Sequence, residues 1–236
     1  MLLFGLCGLI GAGKDTVADL LVQHYGFQKL SFAGPIKDVV SMLFQWPRDR
    51  LDGSTEEDRT WRETIDASWS SLLCMEITPR KMLQMIGTNM FRQVLSPHFW
   101  TSVMESKLNE LQCDRIVITD CRFLEEIELL RKFSGTVIRV ERQTPSWKAE
   151  WLRYVEALEN NKSSDEIAEQ KALLESKTHP SEYMVYSFVP DVQIHNDSTI
   201  DHLKIQVDVL MNFACSNLEN SILNKPSEEE NQSNES

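Results

Sequence analysis

Gly8, Gly11 and Gly13 stand in the stretch Gly8-Leu-Ile-Gly-Ala-Gly13-Lys14-Asp15-Thr16, between an apolar run, Met1 to Cys7, and an amphipathic run that begins at Val17. Glycines so spaced let a polyphosphate approach the main chain where a Cβ would collide. The loop amides and the positive end of the following helix then hold the anion. Lys14 adds a charge that reaches the outer phosphates. The pattern is that of a phosphate-binding loop between a strand and a helix. One position departs from it: Asp15 stands where a Ser or Thr usually helps to hold Mg²⁺, and Thr16 follows one step late. A carboxylate beside a polyanion is unfavourable unless a cation or donor separates them. Asp15 is therefore expected to act through Mg²⁺ or to pair with an active-site cation such as Arg122.

A second set of candidates lies further along the chain. Asp120 closes the apolar run Ile116-Val-Ile-Thr119, where it either organises Mg²⁺ or caps the next helix. Arg122 has the planar fork that fits a phosphate, with an ion pair to Glu125 or Glu126 as the alternative. Arg80, Gln84, Thr88 and Arg92 recur at three-to-four spacing. That side suits a nucleotide, or is an ordinary exposed helix face, and Gly87 among them marks a close approach. Lys37 and Asp38 follow Gly34-Pro35 and read as a phosphate contact or an exposed pair. Trp100 reads as core or as the wall of an acceptor pocket. His179-Pro-Ser-Glu182 ends a polar excursion. No Ser/His/Asp set or zinc-type His/Cys spacing is visible.

The elements that must position these groups alternate. Strands are predicted at Met1 to Cys7, Lys29 to Phe32, Ile116 to Thr119, Thr136 to Val140 and Val192 to Ile194. Helices are predicted to Tyr25, then at Ile36 to Phe44, Thr78 to Val94, Phe99 to Leu111, Arg122 to Phe133 and Ile200 to Phe213. Ser54 with Glu57 looks like a capping box for a short helix through Trp61. Two more helices, Trp147 to Glu159 and Ser164 to Ser176, fill an excursion suited to a mobile lid. The expected fold is α/β, a three-layer P-loop arrangement with a parallel sheet, an acceptor-binding helical region and a helical lid insert. Ligands in such sheets bind at the carboxyl ends of strands, here Gly8, Phe32 and Asp120. Residues 1–216 are expected to form one domain, with the acceptor region at about 33–112 and the lid at about 143–183. Residues 217–236, polar with the run Glu228 to Glu230, read as a disordered acidic tail.

Composition narrows the partners. The chain has 236 residues, 42% hydrophobic and 25% charged, enough for a sizeable core. A net charge of -12 argues against a nucleic-acid partner, while a few local cations still allow a small anionic ligand. The five scattered cysteines read as reduced thiols in a cytoplasmic setting. The apolar start lacks a basic leader and reads as a strand rather than a signal peptide. No run is long enough to span a membrane.

Several stretches in fixed order carry a family likeness. Gly13-Lys-Asp-Thr16 with Ala18-Asp19, Ala33-Gly-Pro-Ile-Lys-Asp38, Leu83-Gln-Met-Ile-Gly-Thr88 and Thr119-Asp-Cys-Arg122 resemble the deoxynucleoside monophosphate kinases of tailed bacteriophages and related viruses. The resemblance implies an often dimeric P-loop kinase that phosphorylates deoxynucleoside monophosphates with ATP and Mg²⁺, in the cytoplasm, or the host's if virus-encoded. It places Gly11, Gly13, Lys14, Asp15 and Thr16 on the ATP side. Lys37, Arg80, Gln84, Gly87, Thr88, Arg92, Trp100, Asp120, Arg122 and Glu126 match positions assigned to the acceptor. Asp15, Thr16 and Asp120 are the candidate metal ligands; Lys14, Asp15, Arg92, Asp120 and Arg122 are the candidate catalytic set. Arg142 or Lys148 is expected to close over the transferring group. A kinase for another phosphorylated acceptor, such as phosphomevalonate or dephospho-coenzyme A, and a non-catalytic nucleotide switch are the competing readings.

Overall fold

The computed structural model describes residues 1–178 and 180–223, with the main chain alone at Thr88, Pro180, Ser181 and 217–223. His179 and the greater part of the expected tail, 224–236, lie outside the described residues. Strand β1 (Leu2–Cys7) is the middle of a five-stranded parallel sheet with β2 (Gln28–Leu30), β3 (Arg115–Ile118), β4 (Thr136–Glu141) and β5 (Val192–His195). The spatial order is β2-β3-β1-β4-β5, with Gly5 opposite Ile118 and Val137, and Val140 opposite Ile194.

Both faces of the sheet are covered, which is why β1 reads as a continuous apolar run. Phe4 and Leu6 pack with Val17 and Leu21 of α1 (Lys14–Tyr25) and with Leu203, Val207 and Leu210 of α11 (Ile200–Leu223). Leu3, Ile116 and Ile118 pack on the other side with Met104 and Leu108 of α6 (Phe99–Glu110) and Ile127 and Leu130 of α7 (Leu124–Lys132). Fully buried side chains of this kind contribute about 1.5–3 kcal/mol each relative to exposure. They therefore fix which way every strand end faces. A Cβ at Gly5 would collide with Leu130, so this glycine sets how closely α7 approaches β1.

The connections locate the crevice. After β1 the chain passes through α1 to β2, beyond β3; after β3 it passes through α7 to β4, on the other side of β1. The loops following β1 and β3 thus leave in opposite directions from adjacent strands, the arrangement that opens a ligand crevice at the carboxyl edge. Residues 8–13 and 119–123 flank it.

A separate cluster holds the region between β2 and β3. Val40 of α2 (Gly34–Phe44) packs with Trp46, Leu51, Ile77, Met82 and Ile86, and Phe44, Trp61 and Trp69 lean on them. Helix α3 (Glu56–Glu63) is capped by Thr55 with Asp58, one residue along from the expected Ser54 and Glu57. Helix α4 (Ala67–Leu73), capped by Asp66, was not legible in the sequence. The expected single helix from Thr78 to Val94 also differs. It begins as α5 (Pro79–Gln84) and widens to i→i+5 hydrogen bonding over Met85–Leu95. The wide turns start where Gly87 lies against Ile36 and its carbonyl accepts the Trp100 indole at 2.8 Å. The excursion after β4 is a hairpin of α8 (Lys148–Glu159) and α9 (Ser164–Glu175), with Trp147, Trp151, Leu174 and Tyr183 at its centre. Helix α10 (Pro180–Tyr183) returns it to β5, and α11 runs on to Leu223 instead of ending near Phe213.

Candidate active site

The glycine loop has its conformation for steric reasons. Gly8, Gly11 and Gly13 have φ of +139°, +75° and +98°, a region that L side chains rarely adopt. A Cβ at Gly8 would collide with the Val140 carbonyl, and one at Gly13 with the Asn196 side chain. Asn196, between β5 and α11, donates its side-chain amide to the Ala12 carbonyl at 2.9 Å and its main-chain N–H to Glu141 at 2.7 Å. It ties the loop to the far edge of the sheet. Its place directly after the last strand is the only local signal of that role. Lys14 donates to the carbonyls of Gly8 and Leu9 at 2.9 and 2.8 Å. Burial, reinforced by the positive charge of Arg122, holds its pKa below the usual lysine value.

Asp15 meets a different cation from the expected one. Its side chain is 80% exposed and pairs with Lys29 at 3.1 Å, and Lys29 also meets Asp19. The cation that offsets Asp15 is therefore Lys29, supplied by β2, rather than Arg122. Thr16, in the first turn of α1, is exposed.

Asp120 stands just past the end of β3. Its two carboxylate oxygens accept the main-chain N–H groups of Phe32 and Ala33 at 2.8 and 2.9 Å. Through them it holds the turn that starts α2.

Glu126 is the hub of this side. It is 2% exposed, and its Oε2 accepts the main-chain N–H of Arg122 and Phe123 at 2.7 and 3.1 Å. Its Oε1 accepts Arg92 at 3.0 Å, and the Arg92 guanidinium lies 4.5 Å over the Phe123 ring. Burial, then the charge of Asp120, pushes the Glu126 pKa up to about 7, against the pull of those amides and of Arg92. One buried carboxylate thus joins Arg92 to the loop carrying Arg122. Arg122 in turn meets Glu182 of α10 at 3.5 Å, and Glu182 accepts the Ile10 N–H of the glycine loop at 3.2 Å.

The remaining acceptor candidates spread over the neighbouring helices. Lys37 pairs with Asp52 at 2.8 Å, and Arg80 pairs with Glu63. Gln84 is exposed, and the Thr88 side chain lies outside the described residues. Trp100, read as core or as the wall of an acceptor pocket, lies in the core, 3% exposed beneath Gly87 and packed on Phe91 and Phe99. Arg62, which residue spacing did not single out, is half-buried; burial and then the charge of Arg80 hold its pKa down. Arg142 borders a cavity of about 340 Å³ at the ends of β4 and β5, with Lys148, Tyr186, His195 and Asp197. The Lys148 ammonium sits 3.5 Å from the centre of the Tyr186 ring.

Comparisons with known proteins give the family. A family described as deoxynucleotide monophosphate kinase matches residues 60–207. A putative deoxynucleotide monophosphate kinase of Acanthamoeba polyphaga mimivirus is 33% identical over 156 residues, covering 60% of this chain and 75% of that protein. The deoxynucleoside-5'-monophosphate kinase of Escherichia phage T5 is 27% identical over 179 residues, covering 55% and 72%. The crystal structure of TT1252 from Thermus thermophilus covers 89% of this chain and 96% of its own at 15% identity, with a TM-score of 0.39, too distant a likeness to bear on function. Neither a different phosphorylated acceptor nor a non-catalytic switch is favoured by these matches, and the chain belongs to the deoxynucleotide monophosphate kinase family.

Proposed function

We propose that the crevice between β1 and β3 transfers the γ-phosphoryl group of ATP to the phosphate of a deoxynucleoside monophosphate, giving ADP and a deoxynucleoside diphosphate for DNA synthesis. The observation that carries this reading is the Glu126 hub, which sets Arg92 and the Arg122 loop opposite the glycine loop. The acceptor's phosphate oxygen attacks the γ-phosphorus in line, the bond to the β-phosphate oxygen breaks, and ADP leaves. The acceptor phosphate is largely dianionic above pH ~6, so no protein base has to remove a proton. Positioning and charge neutralisation then carry the catalysis.

Within this reading the loop amides and Lys14 receive the donor's phosphates. Arg92 and Arg122 orient the acceptor phosphate, and Lys37, Arg80, Gln84 and Thr88 complete the acceptor side. Asp120 fixes the turn that leads into α2, whose first turn carries Lys37. The cavity bordered by Arg142, Lys148 and Tyr186 takes the donor's nucleoside, and residues 143–183 close over the transferring group and exclude water. Among the described residues no three His, Cys, Asp or Glu side chains gather into a metal cage. An ion carried by phosphates and waters suits such a site, since Mg²⁺ needs only one or two protein ligands. Thr16 would supply a hydroxyl to hold it, and the ion would neutralise charge on the donor's phosphates. The five free thiols fit a reducing cytoplasm.

Steady-state kinetics of Arg92→Gln test the assignment. The acceptor KM should rise at least about tenfold, as for loss of a charge-assisted hydrogen bond, with the ATP KM unchanged. A rise in the ATP KM alone would overturn it.

A further inference from the structure

We propose that Glu182 is a positioning residue which holds the anion place of the glycine loop with its carboxylate, yields it to the donor nucleotide, and thereby passes Arg122 to the acceptor. The inference rests on the reading of residues 8–16 as the donor loop.

Glu182 reaches the loop across 172 residues of sequence to accept the Ile10 N–H at 3.2 Å. Its other oxygen lies 3.5 Å from Arg122, and its side chain is only 19% exposed. Both partners are groups that a phosphate-binding crevice keeps for anions: a main-chain amide of the glycine loop and a guanidinium beside it. Ile10 itself is 69% exposed, so its apolar side chain does not account for the contact. The carboxylate has taken the kind of partners a phosphate oxygen would take. Lys14, the loop's own cation, meanwhile donates to the Gly8 and Leu9 carbonyls.

A carboxylate and a polyphosphate cannot share one amide and one arginine at hydrogen-bond distance, because like charges at that range repel. The polyphosphate brings more oxygens and more charge, and displaces Glu182.

The surrounding packing determines what moves. Tyr183, next in the chain, is buried against Trp151 of the hairpin and donates to Glu175 at 2.9 Å. On the far side, buried Arg139 donates to the carbonyls of Val185 and Phe188 at 2.7 and 2.6 Å. Glu182 is thus followed by one residue held by the hairpin and then by residues 185–188 held by the sheet. Releasing Glu182 breaks the tie between α10 and the glycine loop and removes one carboxylate from Arg122. Donor binding then strengthens acceptor binding, and by linkage the acceptor strengthens donor binding by the same factor.

Calorimetric titration of the full chain with a non-hydrolysable ATP analogue and Mg²⁺, with and without a deoxynucleoside monophosphate, tests this. In Glu182→Gln, which keeps the shape and loses the charge, the analogue should bind about tenfold tighter than to the native chain. The acceptor should then change the analogue's affinity much less than it does in the native chain. Unchanged or weaker analogue binding in E182Q, or an unchanged coupling factor, overturns the proposal; a contact that merely supports the fold would weaken binding when lost. If E182Q melts well below the native chain, Glu182→Asp replaces it: its shortened reach must also tighten the analogue, and failure to do so refutes the exchange. If neither native nor variant chain binds the analogue, the donor-loop reading falls first, and the inference with it.

Discussion

Replacing Glu126 with Gln removes the charge at the centre of the acceptor side while keeping its volume. In the native chain the carboxylate serves three donors: the Arg122 and Phe123 amides through one oxygen and Arg92 through the other. Gln retains an oxygen for the amides but turns an NH₂ toward Arg92, donor against donor. A hydrogen bond to a charged group is worth about 1.5–3 kcal/mol, which corresponds to about 10- to 100-fold in kcat/KM for the acceptor. The pH dependence gives a sharper readout. The Glu126 pKa lies at about 7, raised from 4.5 by burial, so as the pH falls through 7 the group takes up a proton and loses its hold on Arg92. Acceptor kcat/KM in the native chain should decline on the acid side with a midpoint near 7. The acceptor phosphate's own second ionisation, near ~6, contributes a limb that survives in E126Q, whereas the limb near 7 disappears. The penalty of the substitution should accordingly be large at pH 8 and small at pH 6. A native profile that is flat between pH 6 and 8, or an E126Q profile that keeps the limb near 7, would refute the role given to Glu126.

Further tests concern other parts of the site. Asp120→Asn leaves one of the Phe32 and Ala33 amides facing another donor, at about 1–3 kcal/mol, so the acceptor KM should rise about tenfold or more with the Mg²⁺ dependence unchanged. A shifted Mg²⁺ titration would instead show that Asp120 reaches the ion. Gly13→Ala forces a side chain to φ +98° against Asn196, and the strain, about 1–3 kcal/mol, should lower Tm by several degrees and abolish binding of an ATP analogue. Trp100→Phe loses the hydrogen bond to the Gly87 carbonyl and leaves a cavity where the buried indole stood. For about 2–3 kcal/mol its Tm should fall by at least about 4 °C, with the ATP KM unaffected.

The strands and the glycine loop were legible because short-range rules govern them. An apolar run buried on both faces, broken by glycines before a helix, has few other solutions, and the predicted sheet segments agree with the observed ones to within two residues. What escaped depends on partners distant in sequence. The identity of Asp15 cannot reveal that Lys29 would rise from β2 to meet it, nor that of Asp120 that two amides of the next loop would take its oxygens. The segment Met85–Leu95 has the apolar spacing of an ordinary helix. Its widening goes with the contacts of Gly87 to Ile36 and Trp100, which the local pattern does not contain. Both Ser54/Glu57 and Thr55/Asp58 satisfy the capping pattern, and the structure takes the second. Arg92 was reached through the helical spacing of its polar neighbours and Glu126 first as a possible partner of Arg122, but not the pairing of the two; Asn196 was not reached at all, because its role arises from the distance between β5 and the glycine loop.

The central claim is phosphoryl transfer to a deoxynucleoside monophosphate, and product analysis tests it most directly. The purified full chain, incubated with Mg²⁺, γ-labelled ATP and each of the four deoxynucleoside monophosphates in turn, should move the label into a deoxynucleoside diphosphate with at least one of them. ADP should form in equal amount, and little should form without an acceptor. Release of the label as inorganic phosphate alone, or no labelled diphosphate with any of the four acceptors, would contradict the account.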